Sequence, residues 1–179
     1  MTQSAIELKE GIDRRAFLTR SAAAAIVISS SALICAGEAW GLEVKALKPE
    51  TARTLIKLAR DIYPHDRLAD KFYAVAVKGY DEKSGKDPAA LAKFEGGVAA
   101  LDAAAKAAHG VPYAEVGWEA ERVALLRKIE EDSFFQSIRS DLVVSLYNQK
   151  EVWPLFGYEG ESASKGGYVN RGFNDIKWL

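Results

Sequence analysis

Apolar residues recur at intervals of three and four along the middle of the chain, which places them on one face of an α-helix. Asp87-Pro88 is a typical helix start, and His109-Gly110 is a typical helix end. We therefore expect a helix over about 88–109. Its predicted inward-facing residues are Leu91, Phe94, Val98, Leu101, Ala105 and Ala108. Small residues, Gly96, Gly97 and the alanines at 103–105, lie beside the stripe, so another helix could approach closely.

Four further segments show the same spacing and predict helices at 50–63, 68–80, 118–130 and from 133 onward. Pro64 ends the first, residues 81–86 form a charged turn after the second, and 133–136 has the pattern of a capping box. No alternating run predicts a strand, so the expected fold is all-α, a small bundle of about five helices. The predicted inward-facing residues are Leu55, Ile56, Ala59 and Ile62; Phe72, Val75, Ala76 and Tyr80; Leu125, Leu126 and Ile129; and Phe135, Ile138, Leu142 and Leu146.

The pattern changes after Lys150, where periodicity disappears and glycines alternate with aromatic residues over 151–179. Disordered segments lack aromatic residues, so this irregular segment is expected to be ordered by packing against the chain's own helices or against another protein. Tyr, Trp and Arg are the usual energetic anchors of interfaces, which favours partner binding. The candidate contact residues are Trp153, Phe156, Tyr158, Tyr168, Arg171, Phe173 and Trp178.

The start of the chain resembles a twin-arginine export signal. Its polar first 20 residues contain Arg14, Arg15, Phe17 and Leu18 in the spacing of that motif, and 21–36 follow without a charge. This uncharged stretch is shorter and less apolar than the ~20 residues of a membrane span. We expect residues 1–39 to be the signal and the protein to be periplasmic.

The cleavage site of this signal is expected before Trp40, with a cut after Ala36 as the second choice. Cys35 raises the alternative of a lipoprotein, but the preceding Ile34 is larger than a lipobox residue. A further alternative is an ordinary basic pair in front of a buried helix.

Composition excludes several classes of site. The 179 residues carry a net charge of −1, which gives no sign of a nucleic-acid-binding surface. One cysteine excludes an internal disulfide and a thiolate-rich metal site. His65 beside Asp66 suggests a base or a metal ligand, but a turn is the favoured interpretation, and His109 belongs to a helix end. Gly166-Gly167 lacks the residues of a P-loop, so no catalytic, cofactor-binding or metal residue is predicted.

Two stretches of the C-terminal segment resemble a known family: WPLFGYEG at 153–160 and GGYVNRGFNDIKW at 166–178. They are similar to the small subunit of membrane-bound gluconate 2-dehydrogenase and its relatives in fructose, sorbitol and flavin-dependent glucose dehydrogenases. The twin-arginine start and IYPHD at 62–66 fit this resemblance. Glu161 departs from it, because a proline often stands there.

The resemblance implies a non-catalytic subunit without a cofactor. Its partners would be a large FAD-containing dehydrogenase, a multihaem cytochrome c and, during export, the twin-arginine translocase. It also implies that the chain escorts the flavoprotein into the periplasm and lies at the membrane through its complex. The predicted organisation is 1–39 signal, 40–150 helical domain and 151–179 partner-binding segment packed on that domain. The alternative is a stand-alone periplasmic small-ligand-binding protein or enzyme.

Overall fold

The structure, a computed structural model, describes residues 32–35 and 38–173. The predicted signal residues Arg14, Arg15, Phe17 and Leu18 lie outside the described residues, and so does Trp178. What the sequence predicts for these five residues therefore stays a prediction.

Two short strands begin the described part: β1, Ala32–Cys35, pairs antiparallel with β2, Glu38–Glu43. Leu33 lies opposite Leu42. This hairpin precedes the predicted helices, and the bond before Trp40, the expected cleavage site, falls within β2. An isolated two-stranded hairpin is marginally stable and depends on its surroundings, so local periodicity is a poor guide to it.

Five α-helices follow, and they confirm the all-α class and the predicted number of helices between 49 and 147. A 3-10 turn, Tyr113–Glu115, connects the third helix to the fourth. The helices of the described residues are α1, Pro49–Ile62; α2, Asp70–Lys86; α3, Pro88–His109; α4, Glu119–Arg127; and α5, Ser133–Tyr147.

The ends of α3 follow from local signals in the sequence. The Asp87 carboxylate accepts a hydrogen bond from the backbone N–H of Ala89 at 2.9 Å, and Pro88 occupies the first helical position. Gly110 ends the helix with a left-handed φ of 77°, a conformation that favours glycine. These are the start and the end that the sequence predicts.

The start of α5 differs from the predicted capping box. Asp132 caps the helix, because its carboxylate accepts a hydrogen bond from the backbone N–H of Phe134 at 2.7 Å. The Gln136 side chain donates to the carbonyl of Glu130 instead of returning to Ser133. An ionised aspartate is a stronger N-cap acceptor than a hydroxyl, which accounts for the shift of one residue.

The core lies around α2, which packs against α1, α3 and α5. Most of the predicted inward-facing residues are buried, but Val75 is 56% exposed, and the buried face of α2 is centred on Tyr73 and Val77 instead. Ala108 is also exposed, near the end of α3. The predicted Phe135 is only half-buried, and its neighbour Phe134 takes the core position.

Phe134 is buried because Gly97 leaves a gap for it. A Cβ atom added at Gly97 would lie 2.3 Å from the Phe134 ring, so only glycine permits this approach of α5 to α3. Gly96, the other glycine beside the stripe, has no atom within 4 Å of an added Cβ. Of the two, only Gly97 serves the close approach that the sequence predicts.

The predicted turn at 81–86 is wrong, because α2 continues to Lys86. The Asp81 carboxylate accepts hydrogen bonds of 2.8–3.1 Å from the backbone N–H groups of Lys45, Ala46 and Leu47. This clamp holds the segment before α1 against α2.

Helix α4 ends at Arg127, three residues earlier than predicted.

None of the helices in the described residues is long and apolar enough to cross a membrane.

Candidate partner-binding site

The chain leaves α5 through a short anchored turn. Val152 is completely buried, and a 3-10 turn, Trp153–Phe156, follows it. The indole N–H of Trp153 donates a hydrogen bond of 2.8 Å to the carbonyl of Tyr147 at the end of α5. We call 151–173, the described part of the predicted segment 151–179, the tail. Its first residues are therefore packed on the helical domain.

His65 meets this turn from the loop between α1 and α2. Its Nε2 atom lies 2.6 Å from the hydroxyl of Tyr147, and its ring contacts the Phe156 ring edge-to-face at a centroid distance of 5.0 Å. Burial of the ring is the main cause that lowers the pKa of His65, and the positive charge of Arg60 lowers it further. The negative charge of Asp66 acts in the opposite direction but is the smallest of the three effects. A lowered pKa keeps the imidazole neutral at pH 7, as its packing against aromatic rings requires.

The loop itself is the turn that the sequence favours. The carbonyl of His65 accepts a hydrogen bond of 3.1 Å from the backbone N–H of Leu68. No group of three or more His, Cys, Asp or Glu side chains within 32–35 and 38–173 is arranged to hold a metal ion. His65 thus connects the loop to α5 and the tail. The sequence gives no local signal for that contact, because its partners lie more than 80 residues away.

An open groove of about 750 Å³ lies between α5 and the tail. Val143 and Val144 form its wall on α5, and both are more than half exposed. Exposed neighbouring valines beside exposed aromatic rings are unusual on a solvated helix face. The lining residues are Val143, Val144, Tyr147, Asn148, Lys150, Trp153, Phe156, Tyr158 and Glu161.

Three of the predicted contact residues, Trp153, Phe156 and Tyr158, meet in this groove. The Trp153 and Tyr158 rings contact each other edge-to-face at a centroid distance of 5.3 Å. Gly160 also lies close to Trp153: an added Cβ would be 3.2 Å from the ring, and the φ of 98° favours glycine. This packing fixes the path of the loop up to Glu161, the position that departs from the family resemblance.

The other described contact residues, Tyr168, Arg171 and Phe173, lie farther along the tail and do not line the groove. Tyr168 is 55% exposed and Phe173 is 83% exposed. Arg171 donates to the carboxylate of Glu159 at 2.9 Å, and its guanidinium lies 5.5 Å from the centroid of the Tyr168 ring. A partner carboxylate would therefore compete with Glu159 for Arg171.

The glycine pair of the tail forms a turn. The backbone N–H of Gly167 donates to the carbonyl of Ser162 at 2.8 Å, and both Gly166 and Gly167 have positive φ angles. A P-loop would place such glycines directly before a helix, whereas here 3-10 turn Ala163–Lys165 precedes them. The backbone-turn interpretation agrees with this geometry.

A buried polar cluster in the helical domain was not identified from the sequence. Arg122 makes two hydrogen bonds to the carboxylate of Asp61, of 2.7 and 2.9 Å, and the Tyr113 hydroxyl donates to the same carboxylate at 2.7 Å. Burial, and then the charge of Asp61, raise the pKa of Tyr113. The hydrogen bond to Asp61 raises the pKa of Arg122, so its guanidinium stays charged.

The cluster is well satisfied and closed to solvent. Asp61 is 8% exposed and Arg122 is 4% exposed, and Arg122 also donates to the carbonyl of Val116 at 2.8 Å. A substrate has no access to such atoms, so the cluster connects α1 to α4 and the turn before it. The accessible candidate site is the groove with the tail beyond it.

No protein-family model, curated protein or solved structure matches this chain.

Proposed function

We propose that this chain is the non-catalytic small subunit and export escort of a periplasmic flavoprotein dehydrogenase that oxidises a sugar or sugar acid. FAD and the catalytic groups belong to the large partner subunit. The twin-arginine signal of this chain carries both proteins through the translocase. Support comes from the paired Arg14 and Arg15, and from the resemblance of 153–160 and 166–178 to small subunits of such enzymes.

The observation that carries the proposal is the exposure of aromatic side chains along the tail. Phe156, Tyr158, Tyr168 and Phe173 are between 45% and 83% exposed, although their segment is folded onto the helical domain. Large aromatic side chains gain most when a partner buries them, and interfaces concentrate their binding energy on such residues. A tail that packs only on its own domain would bury these rings.

One wall of the groove, next to the exposed aromatic residues of the tail, is formed by a rigid helix. Val143 and Val144 lie on α5, whose inner face is fixed in the core by Ile138 and Leu142. Contact residues on a rigid helix lose little conformational entropy on binding. The proposed interface therefore combines the groove with the exposed rings of the tail, and it leaves the chemistry to the partner.

Purification of the tagged full chain from its native host tests the proposal. We expect a large flavin-containing protein in a one-to-one ratio, with sugar dehydrogenase activity. The variant Tyr168→Ala with Phe173→Ala should lose this protein, because each ring is an expected anchor. Val75→Ala is the matched control, since Val75 is exposed on α2 and does not line the groove. Full retention of the flavoprotein by the double variant would place the interface elsewhere.

Export is tested by replacing Arg14 and Arg15 together with lysine. We expect this chain and the flavoprotein to remain in the cytoplasm, as measured by fractionation and activity staining. Arg20→Lys is the control, because Arg20 follows the motif without belonging to it. Unchanged periplasmic dehydrogenase activity in the paired-lysine variant would show that the flavoprotein travels independently, and the escort role would be wrong.

The groove also favours a second candidate, a stand-alone periplasmic protein that binds a small apolar ligand or acts on one. Its volume of about 750 Å³ lies within the ~300–1,000 Å³ of small-molecule sites. The same purification separates the two candidates. A monomer that carries a small molecule and no flavoprotein would support the second.

A further inference from the structure

Phe156 packs the start of the tail against two elements of the helical domain. Its ring contacts His65 of the loop between α1 and α2 at a centroid distance of 5.0 Å, and Tyr147 of α5 at 5.8 Å. His65 and Tyr147 also contact each other, with their ring centroids 5.6 Å apart. We call these three residues the aromatic cluster. Because Tyr147 and Phe156 both line the groove, any movement within this cluster changes the shape of the groove.

The hydrogen bond inside the aromatic cluster depends on the protonation state of His65. Its Nε2 atom lies 2.6 Å from the hydroxyl of Tyr147. A neutral imidazole with its proton on Nδ1 accepts a hydrogen bond from that hydroxyl through Nε2. An imidazolium donates from both nitrogens and accepts nothing, so the hydroxyl loses the acceptor for its hydrogen. Protonation also places a positive charge in a partly buried position against two aromatic rings.

The charges around the aromatic cluster do not compensate for a proton on His65. Arg60 opposes a second positive charge, and its own carboxylate partner is Asp70, at 2.6 Å. Asp66 favours the imidazolium, but its effect on the pKa of His65 is smaller than those of burial and Arg60. The nearby phenols stay neutral in acid, and 153–156 contains no titratable side chain. The titratable and charged groups of this region are Arg60 of α1; Tyr63 and Asp66 of the loop; Asp70 and Tyr73 of α2; and Tyr147 of α5.

We propose that His65 is a pH-sensitive latch: when it takes up a proton, Phe156 leaves the aromatic cluster and the groove beside α5 widens. A partner that binds in the groove thus meets a narrower site at neutral pH and a wider one in acid. The inference rests on the proposed function for this consequence, because it treats the groove as the partner-binding site. The movement itself belongs to the free chain and needs no partner.

The pH range of the latch follows from the sign of the effect. The pKa of His65 is lowered in the closed form, so the closed form favours the neutral imidazole. Its stability is complete above 6.5, the ordinary pKa of histidine, and is lost as the pH falls below that value and through the lowered pKa. Each unit between the two pKa values multiplies the ratio of open to closed chains about tenfold.

Fluorine NMR of the purified full chain, labelled with fluorophenylalanine, tests the latch without any partner. The chain has seven phenylalanines, and Phe156→Leu assigns the resonance of interest. As the pH is lowered from about 7.5 to about 5, we expect this resonance to shift and to become more sensitive to a water-soluble paramagnetic quencher. Its midpoint should lie below 6.5 and coincide with the titration of the His65 ring, measured by proton NMR. Circular dichroism checks that the body stays folded over this range.

Two histidine variants separate the latch from other effects of acid. His65→Gln should abolish the response of Phe156, because an amide stays neutral and can still pair with the hydroxyl of Tyr147. His109→Gln is the matched control and should leave the response unchanged. His109 is the other histidine of the chain, and it lies at the end of α3 beside Glu121, outside the aromatic cluster.

Two results would overturn the latch. The first is a Phe156 response that persists unchanged in His65→Gln. The second needs no variant: the His65 ring titrates at 6.5 or above, or it titrates without any change at Phe156. Because no partner is present in these measurements, failure to find the flavoprotein would contradict the proposed function and leave the latch intact. If the latch fails while the complex forms, the groove keeps a fixed shape and the proposed function stands.

Discussion

Two tyrosines of the helical body, 49–150, and two of the tail have opposite environments. Tyr73 and Tyr113 are completely buried in the body, and their hydroxyls donate to the carbonyl of Tyr63 at 2.6 Å and to Asp61 at 2.7 Å. Tyr158 and Tyr168 in the tail are about half exposed. The same residue type thus stabilises the fold in one region and is available for contact in the other.

This difference separates stability from binding along the chain. In the body, polar groups such as Asp61 and Asp81 are buried with several hydrogen bonds each. In the tail, the ion pair between Arg171 and Glu159 is exposed on the carboxylate side. Exposed ion pairs contribute little to stability, whereas a buried charge that loses its partner is strongly destabilising. Substitutions in the two regions should therefore have very different effects on unfolding.

The largest effect is expected at the buried ion pair. Arg122→Met should lower the free energy of unfolding by about 3–5 kcal/mol, because it leaves the Asp61 carboxylate buried without its cation. Urea denaturation measures the change. Arg127→Met is the control on the same helix, where the side chain is exposed and the expected change is within ~0.5 kcal/mol. If both variants lost the same free energy of unfolding, the cause would be methionine in helix α4, and the ion pair would not be responsible.

The Asp81 clamp should give a smaller, pH-dependent effect. Burial alone would raise the pKa of Asp81, but the backbone N–H groups of Leu47, Lys45 and Ala46 outweigh burial and lower it. A lowered pKa in the folded state contributes stability at neutral pH that is lost as the pH falls below about 4. Asp81→Asn should therefore cost about 2 kcal/mol at pH 7.

Chemical denaturation at pH 7 and pH 3 measures both parts of this prediction. The difference between the unmodified chain and Asp81→Asn should shrink at the lower pH, because the carboxyl then takes up a proton more readily in the unfolded chain than in the folded one, which favours unfolding. Glu82→Gln is the control, since Glu82 is the exposed neighbour on α2. A difference that stays constant with pH would mean that shape rather than charge holds the clamp.

The two adjacent glycines of α3 should respond with opposite signs. Gly97→Ala places a methyl group 2.3 Å from the Phe134 ring and should destabilise by about 1 kcal/mol or more, because overpacking outweighs the gain in helix propensity. Gly96→Ala meets no atom within 4 Å and should stabilise by about 0.5–1 kcal/mol. Thermal unfolding distinguishes them, and stabilisation by both substitutions would mean that α5 moves away from α3 at no cost.

The sequence predicts the body well where the signals are local. The spacing of Phe94, Val98 and Leu101, the Asp87 cap and Gly110 all act within one helix, and the structure confirms them. Predictions failed where a distant segment decides the outcome. Residues 81–86 have the composition of a turn, yet α2 continues to Lys86 beside the contact of Asp81 with Leu47, which lies 34 positions away.

The candidate site was only partly predictable. Trp153, Phe156 and Tyr158 stand out by composition, and they do meet in one groove. Val143 and Val144 were missed, because their exposure depends on which face of α5 the core takes. That face is set by contacts such as Phe134 with Gly97, which pair residues 37 positions apart in different helices. Periodicity within a helix does not contain this information.

The smallest effect on unfolding is expected in the tail, and it sharpens the comparison of the tyrosines. Tyr168→Ala removes a whole exposed ring and should change the free energy of unfolding by less than ~0.5 kcal/mol. Tyr113→Phe removes only one oxygen atom in the body, yet it should cost about 1.5 kcal/mol or more, because that hydroxyl donates to the buried carboxylate of Asp61. Urea denaturation of both variants, together with co-purification of the flavoprotein, tests the contrast. Tyr168→Ala should weaken the complex and spare the fold, whereas Tyr113→Phe should weaken the fold and spare the complex. If Tyr168→Ala destabilises the chain as much as Tyr113→Phe does, the tail is part of the core and its exposed rings are not kept for a partner.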